Sequence, residues 1–396
     1  MDVLLDEEEE MIAESARGYL EANCATSLVR KVEADPLGYA PDLWRGAAEL
    51  GWAGMCLPEE HGGSEMPLVY LGLVMREIGR TVAPLPLLPS AVASITLARH
   101  GGAALKDRHL PQVASGEAIL TWAFFETDAR LRPETVKMTA REEDDGFILN
   151  GRKLFVDHYA AADLCLVVAR TEAGLSLFLV DTDAPGISTR ELVTLAKDRQ
   201  SEVNFENVRV PREALVGQAG DAWPQIEEML DLATILLCAQ MVGATRKDAE
   251  MAFDYAKVRS AFGQPIGAFQ SVQHMCADMQ IWADAAELLT FEALWRLDQG
   301  LPAAMEISQA KSFCNDRLEA AVRNSQIIHG GIGFMMEFDL HLWFRRVSAW
   351  SMRMGTSLEH RARIAELLLD SPGQVRLGRS VSPAPAVPVT PELTEV

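Results

Sequence analysis

Apolar residues recur every three or four positions along roughly the first hundred residues, which is the spacing of amphipathic helices. Glycines and prolines interrupt this pattern and divide it into separate segments. The segments predicted to be helical are 7–22, 41–50, 68–80, 90–100 and 105–115. We therefore predict an N-terminal helical domain over residues 1–117.

From residue 118 onward the pattern changes to short apolar runs separated by turn residues, which is typical of β-strands. Asn150-Gly151 stands between the apolar runs 147–149 and 153–156. We predict a β-hairpin here, because this pair readily adopts the positive φ angles of a tight turn. With further strands expected at 164–169, 175–180, 186–192 and 202–210, residues 118–220 are predicted to form a middle antiparallel β domain.

Helical periodicity returns at Pro224, a residue suited to the first turn of a helix. No strong breaker follows before Arg259, so we predict one helix of about 36 residues and, at ~1.5 Å per residue, about 50 Å in length. Segments 270–299, 303–329 and 357–369 complete a C-terminal four-helix bundle over 221–370. Residues 371–396 contain five prolines and are predicted to be a flexible tail. The predicted fold class is thus multidomain α+β and mainly α.

Composition narrows the classes of partner. Acidic residues number 57 and basic residues 36, a net charge of −21, which disfavours nucleic acid and anionic membranes. No apolar run reaches the ~18 residues of a spanning helix, so we predict no membrane insertion. No signal or transit peptide is apparent, and the expected location is the cytoplasm. The cysteines lack C-x-x-C or metal-ligand spacing and are expected to be free thiols: Cys24, Cys56, Cys165, Cys238, Cys276 and Cys314.

The predicted long helix stops at Phe262-Gly263-Gln264-Pro265, which leaves Arg259 and Phe262 one turn apart at its end. Spacing alone allows two interpretations, an ordinary helix end with a solvated arginine or a ligand site.

Residues 255–270 resemble the signature of the acyl-CoA dehydrogenase flavoprotein family, approximately Tyr-x-x-x-Arg-x-x-Phe-Gly-x-Pro-Ile-x-x-Phe-Gln. Two further matches follow in the expected order, His329-Gly330-Gly331-Ile332-Gly333-Phe334 with Glu337 to Leu340 and Arg345, and then Gly355-Thr356-Ser357. The resemblance extends over roughly residues 5–370.

In this family an FAD is shared between two subunits. The resemblance implies that one set of residues holds the AMP end of a neighbouring subunit's FAD: Arg259, Phe262, Phe269, Gln270, Gly330 and Gly331. Gln326 and Thr356 are weaker candidates. The implied partners are acyl-CoA, a homologous or identical subunit, and an electron-transfer flavoprotein.

Family members remove the α proton of an acyl-CoA with a glutamate that occupies one of two positions. Those positions correspond here to Met354 and Ala233, neither of which accepts a proton. Asp231 is about 200° around the helix from Ala233 and is expected to point elsewhere. Further acids nearby are given structural interpretations, the helix dipole for Glu227 and Glu228 and a solvated helix face for Glu359 and His360.

The flavin-facing part of the β domain also departs from the family. The family's Thr-Glu-Pro-x-x-Gly-Ser-Asp segment corresponds to residues 124–130, which lack the proline and the glycine. The family's Trp-x-Thr reads Phe155-Val156-Asp157. The family's glutamine two residues before the His-Gly-Gly histidine is Ile327, and Gln326 stands one residue earlier, a shift of about 100° around a helix. The family has a polar residue after Gly-Thr-Ser, and this chain has Leu358 at that position.

Three functions fit this pattern. In the first interpretation, the chain is a subunit without a base in a heteromeric α2β2 acyl-CoA dehydrogenase, and it completes a partner's FAD site. Alternatively, it is a self-sufficient homotetrameric FAD enzyme with an unforeseen base. A third interpretation is a flavin-free binding or scaffold protein of the same fold.

Overall fold

The computed structural model describes residues 5–369. Six helices form its N-terminal part: α1 Glu7–Asn23, α2 Thr26–Val32, α3 Pro41–Glu49, α4 Leu68–Thr81, α5 Leu87–His100 and α6 Ala103–Ala114. At the start of α1, Asp6 and Glu9 form a reciprocal capping box. Helix α2 was not predicted, because seven residues are too few to show a helical repeat.

Eight strands form one sheet in the middle of the chain: β1 Leu120–Ala123, β2 Thr139–Glu143, β3 Gly146–Asp157, β4 Leu164–Thr171, β5 Gly174–Asp181, β6 Ile187–Leu192, β7 Gln200–Pro211 and β8 Leu215–Val216. Their order is β6-β7-β3-β2-β4-β5-β8, with β1 also paired to β4. Most pairings are antiparallel, and β1 and β2 each run parallel to β4.

The hairpin predicted at Asn150-Gly151 is wrong. Both residues lie inside the continuous strand β3, where the register with β7 shifts between Leu149 and Gly151. Gly151 has a φ of +147°. The Asn150 side-chain oxygen accepts the backbone N–H of Asn207 on β7 at 2.8 Å. The pair therefore forms an irregularity of the bulge type rather than a turn, because its special backbone angles serve pairing with β7.

The C-terminal part is a helical bundle. Its elements are α7 Trp223–Val258, β9 Ser260–Ala261, β10 Gln264–Pro265, α8 Gln270–Asp298, α9 Ala304–Phe313, α10 Glu319–His329, α11 His341–Trp350 and α12 Ser357–Leu369. A π-helical turn, Cys314–Leu318, joins α9 to α10. The predicted order of helical, antiparallel β and helical-bundle parts is confirmed, and helix α11 is an addition to it.

Helix α7 is the central element of the bundle. It packs closely on α4, because a side chain at Gly243 would collide with the backbone of Arg76, and one at Gly79 with the backbone of Gln240. Within residues 5–369, α7 is the one helix long and apolar enough to cross a membrane by length and composition, and 89% of its most apolar window is buried. The predicted tail at 371–396 lies outside the described residues.

Candidate functional site

The end of α7 turns sharply through a two-residue hairpin. Strands β9 and β10 pair with each other, and Phe262 and Gly263 connect them. Both connecting residues have positive φ, +54° and +83°, which is the signature of a type I′ turn. The turn leaves the Phe262 side chain 96% exposed.

Arg259 lies at the base of this hairpin. Its N–H donates to the Tyr255 carbonyl at 2.9 Å, and its own carbonyl accepts from the Ile266 N–H at 2.7 Å. The backbone is thus fixed, and the side chain is exposed. In the part of the chain that the structure describes, the Arg259 guanidinium makes no hydrogen bond or ion pair. Phe269 packs edge-on against Phe262, with ring centroids 6.2 Å apart.

A second turn lies beside the first. Helix α10 ends at His329, and the His329 ring stacks on Tyr255 with a centroid distance of 4.5 Å. Gly330 follows with a φ of +62°. Apart from the residues next to them in the chain and the backbone of their own helical turn, no atom of the described residues lies within 4 Å of where a Cβ would stand on Gly330 or Gly331, so this backbone faces open space. The structure therefore brings together the two signature segments, and we call Arg259, Phe262, Gly330 and Gly331 the turn surface.

Of the other residues predicted to hold the AMP end of an FAD, some are exposed and some are buried. Gln270 is the first residue of α8 and is exposed. Gln326 is only 3% exposed, and neither polar atom of its side-chain amide has a hydrogen-bond partner among the described residues. Ile327 is 63% exposed in its place. The one-residue shift thus turns the amide into the bundle and an apolar side chain outward.

The two base positions lie in one pocket. Ala233 on α7 and Met354 after α11 both line it, although about 120 residues separate them in the chain. Apolar side chains from all three parts of the chain form much of its wall, among them Val29, Ile78, Leu88, Trp122, Leu237 and Trp350. We call this the central pocket.

The loop that carries Met354 is fixed by bonds to its backbone. Met354 has a φ of +56°, which costs a residue other than glycine ~1–3 kcal/mol. The buried Lys311 amine donates to the Trp350 carbonyl at 2.8 Å, and the Asn315 amide to the Gly355 carbonyl at 3.1 Å. His360 Nε2 donates to the Met354 carbonyl at 2.7 Å. These three side chains hold the loop whatever side chain stands at 354.

The titration of two of these groups is shifted by burial. Burial lowers the pKa of Lys311 to about 8, since the amine has no carboxylate partner among residues 5–369 to offset the loss of hydration. Burial also lowers the pKa of His360 to about 4, so the ring is neutral near pH 7. The expectation of a solvated helix face for His360 is wrong, because its ring turns inward and is 3% exposed.

Thr356 and Glu359 form the start of α12. The Thr356 N–H and hydroxyl both donate to the Glu359 carboxylate at 2.8 Å, and the Glu359 N–H donates to the Thr356 hydroxyl oxygen at 3.3 Å. This reciprocal arrangement is a capping box. Thr356 is thus engaged in a helix cap in this chain.

Three carboxylates line the central pocket, and each already has a basic partner. Glu33 accepts from Arg345 at 2.8 Å and from Arg346 at 3.2 Å. Arg353 pairs with Asp157 and, at 3.0 Å, with Asp198. The pocket therefore contains no carboxylate free to act as a base among the residues described.

Three acids near the start of α7 are also paired. Asp231 and Glu227 both accept from Arg363, at 2.9 Å and 3.1 Å. Glu228 bonds to His100 at 2.8 Å and pairs with Arg99. None of the three lines the central pocket. Asp231 points away from Ala233, as its position on the helix predicted.

The segment at 124–130 is held by its own ion pair. Glu126 turns inward to the fully buried Lys153, at 2.8 Å, and accepts the Lys137 N–H at 2.9 Å. Burial lowers the pKa of Lys153 to about 8. Phe155 lies farther along β3, with a φ of +55°. Glu126 and Lys153 are thus engaged with each other, and Phe155 is 45% exposed.

Sequence reasoning missed the partners of two signature residues. Arg345 pairs with Glu33, and Asp339 accepts from Arg30 at 2.7 Å. Both bonds join the C-terminal bundle to the N-terminal helices across most of the length of the chain. No periodicity signals such pairs, since each partner in isolation resembles a solvated charge.

The fold and the two-turn site define a class of protein, a three-part dehydrogenase-like chain. Three family models match the chain: "Acyl-CoA dehydrogenase, N-terminal domain" matches residues 6–117, "Acyl-CoA dehydrogenase, middle domain" matches residues 122–208, and "Acyl-CoA dehydrogenase, C-terminal domain" matches residues 220–369. The chain belongs to the acyl-CoA dehydrogenase family.

Individual relatives agree with this placement. Acyl-CoA dehydrogenase FadE12 of Mycobacterium tuberculosis is 33% identical over 312 residues, 76% of this chain and 80% of the relative. A solved variant of the Tcur3481-Tcur3483 steroid ACAD is 30% identical with a TM-score of 0.84, and the match covers 92% of this chain and 98% of that one. PigA, solved with FAD and proline, is 26% identical with a TM-score of 0.84, over 93% and 99% of the two chains.

Proposed function

We propose that this chain is a subunit of an FAD-dependent acyl-CoA dehydrogenase complex in which it supplies the AMP-end half of a partner's FAD site but no catalytic base. The observation that carries the proposal is the contrast between its two candidate half-sites. The turn surface is open and its arginine is available, while the central pocket contains Ala233 and Met354 and only paired carboxylates.

The turn surface fits the phosphate-bearing end of FAD. An exposed arginine on a fixed backbone suits a pyrophosphate, because guanidinium groups bind phosphate oxygens through paired, charge-assisted hydrogen bonds. The Gly330-Gly331 backbone has open space in front of it, so a cofactor can approach the main chain closely. The exposed Phe262 provides an aromatic surface beside it.

The central pocket does not fit a flavin ring. Asp157 stands at the position of the family's flavin-contacting threonine, and its carboxylate is engaged by Arg353 and by the Gln200 amide at 3.0 Å. Met354 and Ala233 offer no proton acceptor. A bound flavin supplies hydride acceptance in this family. What this chain's residues do toward that reaction is bind and orient the cofactor's other end.

The proposed partner is a homologous chain that carries both the base and an intact β-domain flavin loop. The name of the steroid ACAD relative joins two proteins, which supports a heteromeric assembly. PigA's complex with FAD supports the cofactor. The proposed substrate is an acyl-CoA thioester, desaturated between Cα and Cβ with the partner's carboxylate as base. A cytoplasmic location and an electron-transfer flavoprotein as acceptor stay predictions.

Flavin stoichiometry tests the proposal. The chain is purified alone and after co-expression with each homologous dehydrogenase chain encoded in the same genome, and FAD per subunit is measured from the visible absorbance of the flavin. The expected result is a colourless chain alone and one FAD per pair of unlike subunits in the complex.

Two outcomes would overturn the proposal. A yellow homo-oligomer that acyl-CoA reduces anaerobically would show a self-sufficient enzyme with an unforeseen base. A chain that stays colourless in a stable complex, while its partner retains FAD without it, would show a flavin-free scaffold.

A further inference from the structure

Seven charged side chains form a layer against the central pocket. They come from all three parts of the chain, and we call them the charge layer: Glu33, Asp157, Lys197, Asp198, Arg345, Arg346 and Arg353. Glu33 belongs to the N-terminal helices, the next three to the β part and the arginines to the bundle. Six of the seven line the pocket, and Arg345 stands behind Glu33.

Arg353 is the member that crosses between parts. It directly precedes Met354 in the loop after α11, and it binds Asp157 at the end of β3 and Asp198 just before β7. Both carboxylates have second partners that fix them, the Gln200 amide for Asp157 and, at 2.7 Å, the Thr194 hydroxyl for Asp198. The guanidinium therefore spans from the base-position loop to the strand that carries the family's flavin-contact position.

The charge layer has two halves, the group around Arg353 and a second group around Glu33, and the β6–β7 connection joins them. Glu33 sits between Arg345 and Arg346, with Lys197 at 3.9 Å on another side. Lys197 and Asp198 are adjacent in the β6–β7 connection, so this one segment contacts both halves. The Glu33 side chain is 8% exposed and Arg346 is buried, so the pairs are shielded from bulk water. Shielded pairs with fixed partners resist displacement, since removing either member strands a charge.

We propose that Arg353 closes the central pocket to an isoalloxazine ring by bridging the loop of Met354 to Asp157 and Asp198, and that this bridge fixes the β part against the bundle. In this chain, the ion pairs of Arg353 with Asp157 and Asp198 thus stand in place of a binding site for the flavin ring, and we call them the ion-paired joint. The inference deepens the proposed function, since a rigid joint keeps the turn surface in place for the partner. It concerns this chain alone, however, and is tested without a partner.

Lumiflavin tests the closure. This probe is the isoalloxazine ring without ribityl phosphate or AMP, so the turn surface cannot contribute to its binding. The purified full-length chain and the Arg353→Ala variant are titrated by quenching of lumiflavin fluorescence. The expected result is no saturable binding to the wild type. The variant should bind saturably, with a dissociation constant at least about tenfold below any limit measured for the wild type.

Two further proteins make the result decisive. Arg361→Ala removes an exposed arginine that pairs with Asp316, and it should behave as the wild type does. Arg353→Ala strands two carboxylates and can unfold the chain, so Arg353→Ala/Asp157→Thr, which removes one of them, is titrated beside it. Equal binding by wild type and variants, or no binding by either folded Arg353 variant, would overturn the closure.

Hydrogen exchange tests the joint. In Arg353→Ala or the double variant, amides at 193–199 and at the end of β3 should exchange at least about tenfold faster, while those of α1 and of strands β4 and β5 keep their wild-type rates. Unchanged exchange at 193–199 in a folded variant would show that the bridge does not hold the β part. Failure of the flavin stoichiometry experiment leaves both of these readouts intact, so the two proposals fail separately.

Discussion

The turn surface and the central pocket differ in whether their side chains have partners within the chain. In the turn surface, main-chain bonds fix the backbone while the Arg259 and Phe262 side chains remain free toward solvent. In the central pocket, the charged side chains are matched to one another and Met354 is buried against apolar neighbours. Among the described residues, the side chains of the first region have few partners within the chain, and the charged side chains of the second are paired within it.

This difference shows how a fold that binds a shared cofactor can specialise by halves. Under the proposed function, the two ends of the cofactor are held by different subunits, so losing one half-site in a chain does not require losing the other. Substitutions that break each half selectively are therefore the sharpest way to examine the comparison.

Glu33→Gln should give the largest effect. The change leaves Arg345 and Arg346 without their carboxylate in a shielded place, and breaking a buried pair typically costs about 3–5 kcal/mol of unfolding free energy. Urea denaturation of the isolated chain measures it. Asp42→Asn is the matched control, because Asp42 is 94% exposed in its pair with Arg45 and should lose less than about 1 kcal/mol. Equal losses in the two variants would contradict the charge layer.

Arg259→Ala should weaken FAD in the complex by about 10- to 100-fold, because a charge-assisted hydrogen bond is typically worth about 1.5–3 kcal/mol. FAD retained after gel filtration and its dissociation constant are the measurements. The control is Lys257→Ala, which removes an exposed cation two residues away that pairs with Asp254 at 2.9 Å. If both variants keep full FAD, Arg259 does not belong to the partner's site.

Asp248→Asn should stabilise the chain at neutral pH, by an amount on the order of 1 kcal/mol. Asp248 is fully buried on α7, and its carboxylate oxygens have no hydrogen-bond partner among residues 5–369. Burial raises its pKa well above the usual value near 3.8. The folded state thus binds the proton more tightly, and the free energy of unfolding falls as pH rises from about 4 up to the folded pKa.

Urea midpoints between pH 4 and pH 8 test this dependence. The Asn variant should lack the fall attributable to Asp248, so its advantage over the wild type should grow with pH. Asp254→Asn, at a 76% exposed side chain, should leave the wild-type pH dependence in place. Parallel curves for wild type and Asp248→Asn would contradict an uncompensated buried acid.

Met354→Ala should give the smallest effect, a change in kcat of the complex below about twofold. A thioether accepts no proton, so its removal takes nothing from general-base catalysis. Steady-state oxidation of acyl-CoA with an artificial electron acceptor measures it. A tenfold loss of kcat with normal FAD content would place the chemistry in this chain after all.

Long-range periodicity predicted much of the fold. The 36-residue α7 was predicted within one residue at each end, because its apolar repeat is unbroken. The hairpin at Asn150-Gly151 failed because the same dipeptide serves both a tight turn and a strand irregularity, and only the pairing with β7 decides between them. Helix α2, of seven residues, was too short for a periodic signal, and helix α11, of ten residues, was not predicted.

The candidate site divides in the same way. The sequence signature predicted the residues of the turn surface, and spacing on a helix indicated that Asp231 points away from Ala233 and that Gln326 is shifted by about 100° from the family's glutamine. It could not reveal that Arg353 meets Asp157, because pairs between separate parts of a chain depend on how those parts dock. The inward position of His360 was missed for a different reason, because its partner is the backbone carbonyl of Met354 only six residues earlier, and a pattern of side chains does not show such a bond.

The loop at Met354 has a practical consequence for protein engineering. Lys311, Asn315 and His360 all bind main-chain carbonyl groups there, so the left-handed backbone does not depend on the side chain at 354. A saturation library at this position should therefore sample side-chain chemistry on a nearly constant scaffold, limited mainly by volume. This separation of backbone from side chain makes residue 354 a suitable place to install a new reactive group in this chain.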